Sequence, residues 1–419
     1  MHIYFSGVGG VGIGPLAEIA HDAGYQVSGS DVIASPMTDQ LRARDIEIAI
    51  GQDGSHIRNR HDEDPIDWFV YSSALPDDHP ELQFARRHNI RISKRDELLA
   101  HIIDEKSLRL IAIAGTHGKT TTTAMAVWLC KKLGVPVSYS IGSTLSFGPS
   151  GFYDPDSQIF IYECDEYDRN FLHFYPYLSL LTSLDHDHPD TFPTVESYKQ
   201  AFLRFIHQSQ TVLAGPGVAE YLETKLAAPP AELAREISLP GDHTRENAAL
   251  AVQAIAELTS TPLDKLVAIM SSFPGTGRRF EKLAENLYSD YGHHPAEIAA
   301  TLQMARELSD HVVLVYQPHQ NRRQHEVKEQ YVHCAELAEK IYWLPTYLTR
   351  EDEAQAVLTP DDLTAQLTNR AAVTIADLDY NLWNNIQQER AAGKLVLIMG
   401  AGTIDSWVRA QLAKTASTI

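Results

Sequence analysis

The chain has 419 residues, 44% of them hydrophobic, and its formal net charge at pH 7 is −20. This length predicts about two or three domains, and the acidic excess argues against nucleic acid or an anionic membrane as a partner. The three cysteines are scattered, so neither a disulfide framework nor a zinc site is expected, and no apolar run is long enough to span a bilayer. These properties favour a cytoplasmic protein without membrane insertion.

Apolar segments typical of strands alternate with helical segments along the whole chain. This alternation predicts an α/β fold with mostly parallel sheets covered by helices. Two segments are candidate boundaries: a charged stretch near residue 107 and the Gly-, Pro- and Ser-rich stretch 271–280. We therefore predict three domains, at 1–107, 108–272 and 273–419.

The first motif is a glycine-rich turn near the N-terminus. The segment "SGVGGVGIG" fits the pattern G-x-G-x-x-G at Gly7, Gly9 and Gly12, between a predicted strand and a predicted helix. A second strand ends at Asp31, near the spacing of an acidic residue that contacts a ribose. The motif predicts a nucleotide or diphosphate site, and by itself it also fits NAD.

A second phosphate motif lies in "LIAIAGTHGKTTTT", residues 110–123. The apolar residues suit a buried parallel strand, and a helix is expected from Thr121 onward, so an anion can bind at the start of this helix. Lys119 can reach the outer phosphates, and the Thr120 hydroxyl is a candidate Mg²⁺ ligand. The loop is a shortened variant, because its first glycine, Gly115, stands only three residues before Gly118. ATP or GTP is the predicted ligand.

Carboxylates follow the next predicted strand, in "QIFIYECDEYD". They should lie at the carboxyl edge of the sheet beside the lysine loop, where Glu163 is a candidate Mg²⁺ ligand. Asp165, Glu166 and Asp168 are expected to be loop or capping residues. In the later segment "LDHDHPDTF", His188 is either a peripheral metal ligand or a loop histidine, since no further ligands stand at zinc spacing.

The segment "PGDHTRENAALA" predicts a glycine turn followed by a helix. His243 and Asn247 are candidates to face a nucleotide base. Asp242 and Thr244 fit helix capping instead.

Three segments after the second boundary carry candidate cationic or aromatic residues. Arg278 and Arg279 can clamp a phosphate or remain solvated in the linker. In "YSDYGHHPAEI" a strand should end at Asp290 and a helix should begin at Pro295, with Tyr291 and His293 in the turn between them. The segment "VYQPHQNRRQHE" places Arg323 just past a strand end, where it either holds a substrate carboxylate or lies in an exposed basic loop.

Together these motifs resemble the Mur ligase family. The stretches that carry the resemblance span nearly the whole chain in the family's order, and they include "AGTHGKTTTTAM", "ECDEYDRNFLHF", "DHPDTF" and "DYGHHPAEI". The resemblance implies an N-terminal Rossmann-like domain for a UDP moiety, a central P-loop ATPase domain, and a C-terminal Rossmann-like domain for an amino acid. It also accounts for two phosphate motifs in one chain.

The resemblance further implies an amide-forming ligase of peptidoglycan synthesis that uses ATP and Mg²⁺. ATP would phosphorylate the carboxylate of UDP-N-acetylmuramic acid, and L-alanine would attack the resulting acyl phosphate. Three alternatives stay open: a ligase that joins murein tripeptide to the same nucleotide sugar in cell-wall recycling, an NAD-dependent oxidoreductase, and a nucleotide-binding protein without turnover. The oligomeric state is left open.

Residue roles follow from the same resemblance. Catalytic roles fall on Lys119, His188, His293 and Arg323. Cofactor binding falls on Gly115, Thr116, His117, Gly118, Lys119, Thr120, Thr121, His243, Asn247, Arg278 and Arg279. Substrate binding falls on Gly9, Gly10, Val11, Gly12, Asp31, Ser72, Ser73, Tyr291 and His293. The metal ligands would be Thr120, Glu163 and His188. Ser183, Thr244 and Gln320 depart from the residues that are usual in the family.

Overall fold

A computed structural model describes residues 1–10, 12–72, 75–188, 191–349, 351 and 354–416. Within these residues the strands form three sheets of five, six and six strands. One compact unit is formed by Met1–Leu233 and Asn247–Phe273, and a second by Ala234–Glu246 and Pro274–Ile419. The predicted α/β class with three mostly parallel sheets is confirmed, whereas the boundaries at residues 107 and 272 stay predictions.

The first sheet has five parallel strands in the order β3-β2-β1-β4-β5. The strands are β1 (His2–Ser6), β2 (Gln26–Asp31), β3 (Glu47–Ile50), β4 (Trp68–Tyr71) and β5 (Arg91–Lys94). The helices are α1 (Gly14–Asp22), α2 (Pro36–Arg42), α3 (Ser55–Glu63), α4 (Pro80–Arg87) and α5 (Arg95–Glu105). The order reverses direction between β1 and β4, and ligands of open α/β sheets bind at the carboxyl ends of strands at such a point.

The central sheet has the order β11-β10-β6-β9-β7-β8, and the β7–β8 pair alone is antiparallel among its described pairings. The strands are β6 (Arg109–Ala114), β7 (Ser138–Ser140), β8 (Gly151–Phe152), β9 (Ile159–Glu163), β10 (Leu178–Leu181) and β11 (Thr211–Ala214). The helices are α6 (Lys119–Leu133), a 3₁₀ helix (Tyr167–His173), α7 (Val195–Gln208), α8 (Val218–Tyr221), α9 (Ala231–Glu236), α10 (Asp242–Thr259) and α11 (Leu263–Met270). β6 is buried from Leu110 to Ala114 because it lies between two neighbours, as its continuous apolar run predicts.

The third sheet has the order β12-β13-β17-β14-β15-β16, with β12–β13 antiparallel and the other pairs parallel. The strands are β12 (Glu281–Ala284), β13 (Leu287–Asp290), β14 (Val312–Tyr316), β15 (Lys340–Trp343), β16 (Val373–Ile375) and β17 (Leu395–Met399). The helices are α12 (Pro295–Arg306), α13 (Asn321–Val327), α14 (Pro360–Thr364), α15 (Tyr380–Ala391), α16 (Ile404–Ala416) and two 3₁₀ helices (Lys328–Tyr331 and Arg370–Ala372). The strand end at Asp290 and the helix start at Pro295 are confirmed.

The first and central sheets share a hydrophobic core. One cluster of buried side chains contains Ile3 of β1, Leu110 of β6 and Phe160 of β9, together with Leu98 and Ile102 of α5. Because α5 contributes to this common core, it fixes the carboxyl edges of the two sheets relative to each other. Among the helices of the described residues, none has both the length and the apolar character needed to cross a bilayer.

Candidate active site

The glycine loop follows β1 and leads into α1, as predicted. The N–H of Gly9 donates to Asp31 Oδ2 at 2.7 Å, so the residue expected to contact a ribose is held against the loop. Each carboxylate oxygen accepts more than one hydrogen bond, and Asp31 therefore keeps capacity for a ligand hydroxyl. Ser72 lies directly after β4, with its N–H donating to Ser6 O at 3.3 Å. The predicted residues Val11 and Ser73 lie outside the described residues.

The lysine loop connects β6 to α6, as predicted, but α6 begins at Lys119 rather than at Thr121. Gly115 has φ of 136°, and a Cβ there would collide with Thr182 Oγ1. Gly118 has φ of 84°, and a Cβ there would press on the side chain of Asn247. The first turn closes when Thr122 N donates to Gly118 O at 3.0 Å, so the preceding N–H groups lack partners within the helix and can receive an anion.

Two other N–H groups of the lysine loop are already engaged. Thr116 N donates to Ser183 O at 2.8 Å, and His117 N donates to Ser183 Oγ at 3.2 Å. Ser183, one of the residues that depart from the family pattern, therefore holds the lysine loop from the segment just after β10. The N–H groups at the start of α6 are the more accessible phosphate donors.

Lys119 is held in a buried ion pair with Glu166. Its Nζ lies 2.9 Å from Glu166 Oε2 and 3.1 Å from Oε1, and it also donates to Gly115 O. Burial opposes a charge on Lys119, but the Glu166 carboxylate outweighs this effect and raises the pKa of the lysine, which stays protonated. Burial also raises the pKa of Glu166, against the stabilising charge of Lys119.

Glu166 lies in the loop after β9, as expected, at the N-cap position of the 3₁₀ helix, but its side chain makes no capping hydrogen bond. Its side chain is fully buried and is the counter-ion of the predicted phosphate-binding lysine. Asp165 does serve the loop, since Tyr167 N donates to its Oδ1 at 3.1 Å. Asp168 is partly exposed and pairs with Lys94. Spacing in the sequence does not distinguish these three carboxylates, because the backbone turns sharply at positive φ after Glu166.

Two of the three predicted metal ligands are in direct contact. Thr120 Oγ1 donates to Glu163 Oε1 at 2.6 Å, while Glu163 Oε2 accepts from Gly142 N at 2.8 Å. His188 contacts the neighbouring carboxylate, with Nε2 at 3.7 Å from Glu166 Oε1. Within the described residues, no group of three or more His, Cys, Asp and Glu side chains is arranged to hold a metal ion. The oxygen donors fit Mg²⁺, which usually completes its shell with water and phosphate.

The glycine loop and the lysine loop open into one cleft of about 210 Å³. Its lining includes Gly12 from the first loop, Lys119 and Glu163 from the central domain, and Arg95 from the start of α5. Arg95 was not predicted as a site residue. Its position directly after β5, at the carboxyl end of a parallel strand, was a signal that could have identified it.

The predicted base-binding residues lie one turn apart at the start of α10. Asn247 is buried against Gly118, as described above. Burial lowers the pKa of His243, whose Nε2 lies 3.3 Å from Thr244 Oγ1. The helix begins at Asp242 itself, so Asp242 does not precede it as a cap.

The second unit brings Tyr291, His293 and Arg323 together at the carboxyl edge of its sheet. Burial lowers the pKa of His293 to about 4, so the ring is neutral near pH 7. Arg323 Nη1 contacts His293 Nε2, and His293 Nδ1 lies 3.2 Å from Tyr291 O. A guanidinium only donates, so the proton of the neutral ring is on Nδ1 and the lone pair of Nε2 faces Arg323.

The two linker arginines also lie near Tyr291. Arg278 Cζ is 4.6 Å and Arg279 Cζ 5.3 Å from the centre of the Tyr291 ring. Arg278 Nη2 further donates to Gly400 O at 2.8 Å. Arg278 is thus anchored within its own unit, and its predicted role at a phosphate stays a prediction.

Comparison with known proteins identifies three family segments. Residues 2–107 match the Mur ligase family catalytic domain, 113–214 match the Mur ligase middle domain, and 278–402 match the Mur ligase glutamate ligase domain. The three matches occur in the order of the three sheets.

Two relatives are similar to this chain over nearly its full length. The UDP-N-acetylmuramate–L-alanine ligase of Jannaschia sp. is 30% identical, covering 99% of this chain and 97% of the relative. That of Leptothrix cholodnii is 32% identical, covering 96% of each.

The crystal structure of the UDP-N-acetylmuramate–alanine ligase of Thermotoga maritima has a TM-score of 0.77 at 22% identity, covering both chains completely. A murein peptide ligase from Psychrobacter arcticus has a TM-score of 0.68 at 23% identity, covering 99% of this chain and 98% of that one. The family models and the full-length relatives place the chain in the Mur ligase family.

Proposed function

We propose that this protein is an ATP-dependent ligase that joins L-alanine to the carboxylate of UDP-N-acetylmuramic acid, a cytoplasmic step of peptidoglycan synthesis. Curated relatives at 30% and 32% identity over nearly the whole chain are ligases named for these substrates. The observation that carries the proposal is the cleft lined by both Gly12 and Lys119. A nucleotide sugar on the first loop and ATP on the second would bring a carboxylate and a γ-phosphoryl group together.

The first step would transfer the γ-phosphoryl group to the carboxylate. A carboxylate oxygen bonds to the γ-phosphorus, the bond to the β-phosphate oxygen breaks, and ADP leaves. Charge spreads over the phosphoryl oxygens during this transfer, and Lys119 would offset it. To do so, Lys119 Nζ has to exchange one of its hydrogen bonds to Glu166 for one to phosphate, while the other keeps the lysine ammonium in place. The N–H groups at the start of α6 would hold the same phosphates.

Thr120 and Glu163 would hold Mg²⁺, with His188 as the third predicted ligand. When bound, Mg²⁺ would supply positive charge to the phosphate oxygens. The contact between Thr120 Oγ1 and Glu163 Oε1 supports this assignment, because it places a hydroxyl and a carboxylate oxygen side by side at the foot of the loop.

The second step would form the amide. The alanine nitrogen bonds to the carbonyl carbon, the bond from that carbon to the phosphate oxygen breaks, and phosphate leaves with the electron pair. A proton must leave the amine, and His293 is our candidate acceptor because burial keeps it neutral. Its basic Nε2 is covered by Arg323, which would have to turn toward the carboxylate of the amino acid.

The remaining roles complete the proposal. The diphosphate would lie on Gly9, Gly10 and Gly12, with Asp31 at the ribose and Ser72 beside the loop. ATP would contact His243 and Asn247 through its base. Arg278 and Arg279 would reach phosphate, and Tyr291 would border the incoming amine.

A phosphate-release assay that contains Mg-ATP and UDP-N-acetylmuramic acid tests the proposed function directly. We expect release to depend on L-alanine, with one amide product per phosphate, and murein tripeptide to stimulate little release. Release that depends on tripeptide alone would overturn the alanine assignment. Nicotinamide fluorescence on titration with NADH provides the control for an oxidoreductase, and no change is expected.

A further inference from the structure

The cleft contains a cation that the proposed roles do not use. Arg95 is the first residue of α5, and its side chain lines the cleft together with Gly12, Lys119 and Glu163. Its guanidinium lies directly against the glycine loop, because a Cβ at Gly12 would collide with Nη1. Arg95 therefore lies beside the first predicted phosphate site, in the cleft that both sites line.

Two carboxylates orient this guanidinium and leave one edge open. Arg95 Nε donates to Asp96 Oδ2 at 3.2 Å, and Nη2 donates to Asp165 Oδ2 at 3.3 Å. Asp96 is buried and accepts a further hydrogen bond from Tyr162 OH, which fixes its position. Among the residues that the structure describes, Nη1 has no hydrogen-bond partner, and the side chain is 32% exposed. The open edge is thus preorganised for an anion from the cleft.

The charges around the cleft indicate which anion needs this edge. Glu163 and Asp165 also line the cleft, so an entering carboxylate is repelled unless a cation offsets them. Lys119 is paired with Glu166 and is assigned to ATP in the proposed function. The diphosphate has its own predicted site, since the glycine loop leads into the start of α1. Among the described residues that line the cleft, the cationic side chains are Lys119 and Arg95, so Arg95 is left for the carboxylate that receives the phosphoryl group.

We propose that Arg95 binds the carboxylate of the nucleotide sugar and holds it for phosphoryl transfer. Nη1 and the second N–H of Nη2 present the planar fork that matches a carboxylate. This inference rests on the proposed function and adds the residue that recognises the acid.

Calorimetric binding of two nucleotide sugars tests the assignment. UDP-N-acetylglucosamine lacks the carboxylate-bearing group of UDP-N-acetylmuramic acid but shares its diphosphate. Arg95→Met should weaken binding of UDP-N-acetylmuramic acid by about 10- to 100-fold, the usual effect of losing a charged hydrogen bond, and change binding of UDP-N-acetylglucosamine by less than about 2-fold. Arg95→Lys should fall between, because it keeps the charge and loses the fork.

Kinetics and a matched arginine provide the controls. The KM for UDP-N-acetylmuramic acid should rise in Arg95→Met while the KM for Mg-ATP stays unchanged. Arg91→Met removes an arginine four residues earlier, whose Cζ lies 3.3 Å from the centre of the Trp68 ring, and it should leave both nucleotide sugars unaffected. If Arg95→Met fails to fold in a thermal melt, Arg95→Lys carries the same comparison.

The possible outcomes distinguish a failure of this inference from a failure of the proposed function. Equal weakening of both nucleotide sugars would assign Arg95 to the diphosphate or to loop positioning and overturn the proposal, as would no weakening of either. In both cases a wild-type enzyme with alanine-dependent phosphate release keeps its proposed function. A wild-type protein that binds neither nucleotide sugar would overturn both.

Discussion

The lysine loop and the His293 turn solve opposite electrostatic problems. At the lysine loop a buried cation is compensated, since Lys119 is paired with the fully buried Glu166. At the His293 turn a largely buried base lies against a cation, Arg323, and burial lowers the pKa of the histidine to about 4. In the proposed function, the first arrangement would keep a positive charge ready for a phosphoryl group, and the second would keep a base neutral for an amine.

The largest effect is expected at the ion pair between Lys119 and Glu166. Lys119→Met should lower phosphate release by at least about 10³-fold, because the cation at the transferring phosphoryl group is lost. It should also lower the free energy of unfolding by about 3 kcal/mol, since Glu166 is left buried without its partner. Urea unfolding and a phosphate-release assay measure the two effects.

A double variant separates stability from activity at this pair. In Lys119→Met combined with Glu166→Gln, the buried charge is gone from both positions, so most of the lost stability should return while activity stays absent. Near-normal turnover in Lys119→Met would refute the role of the lysine. Unchanged stability in that variant would show that the pair is not a buried ion pair.

The next effect concerns Thr120, the predicted metal ligand that follows the lysine. Thr120→Val should raise the Mg²⁺ concentration for half-maximal activity by at least about 10-fold, because the hydroxyl beside Glu163 is removed. Thr122→Val is the matched control, since Thr122 Oγ1 is buried without a hydrogen-bond partner in the described part of the chain. If both substitutions shift the Mg²⁺ dependence equally, Thr120 is not a ligand.

The His293 turn should show itself in the pH dependence of stability. An unfolded histidine titrates near 6.5, so between that pH and about 4 the unfolded chain binds more protons at this residue than the folded chain does. Stability should therefore fall as the pH falls through this window, by about 2 kcal/mol from this residue between pH 7 and pH 5. Urea unfolding at both pH values, in wild type and in His293→Gln, measures the difference. An equal loss in both proteins would contradict the neutral buried ring.

Local pattern explains what the sequence predicted well. The buried run Leu110–Ala114, the lysine loop and the start of α12 at Pro295 follow from apolar periodicity and from the fixed φ of proline. The helix start was misplaced by two residues at α6, because the loop glycine Gly118 itself precedes the first helical residue.

The two residues that sequence reasoning missed depend on distant parts of the chain. Glu166 meets Lys119 across 47 residues, and Arg95 meets Asp165 across 70. No periodicity links such positions, because the first contact depends on the pairing of β6 with β9 and the second on the packing of α5 into a core shared by two sheets. The residue types were visible in the sequence, whereas their burial and partners were not.

The smallest effect should come from the carboxylate two residues beyond Glu166. Asp168 pairs with Lys94, but both side chains are partly exposed, so Asp168→Asn should change the free energy of unfolding by less than about 1 kcal/mol. Asp168 has φ of 54°, a conformation that asparagine also tolerates, and the loop backbone should therefore persist. Phosphate release within about 2-fold of wild type would show that activity does not depend on the Asp168 carboxylate, in contrast to the role expected for Glu166. A large loss of activity would instead mean that the ion pair between Asp168 and Lys94, which joins the 3₁₀ helix after β9 to β5 of the first sheet, aligns the cleft.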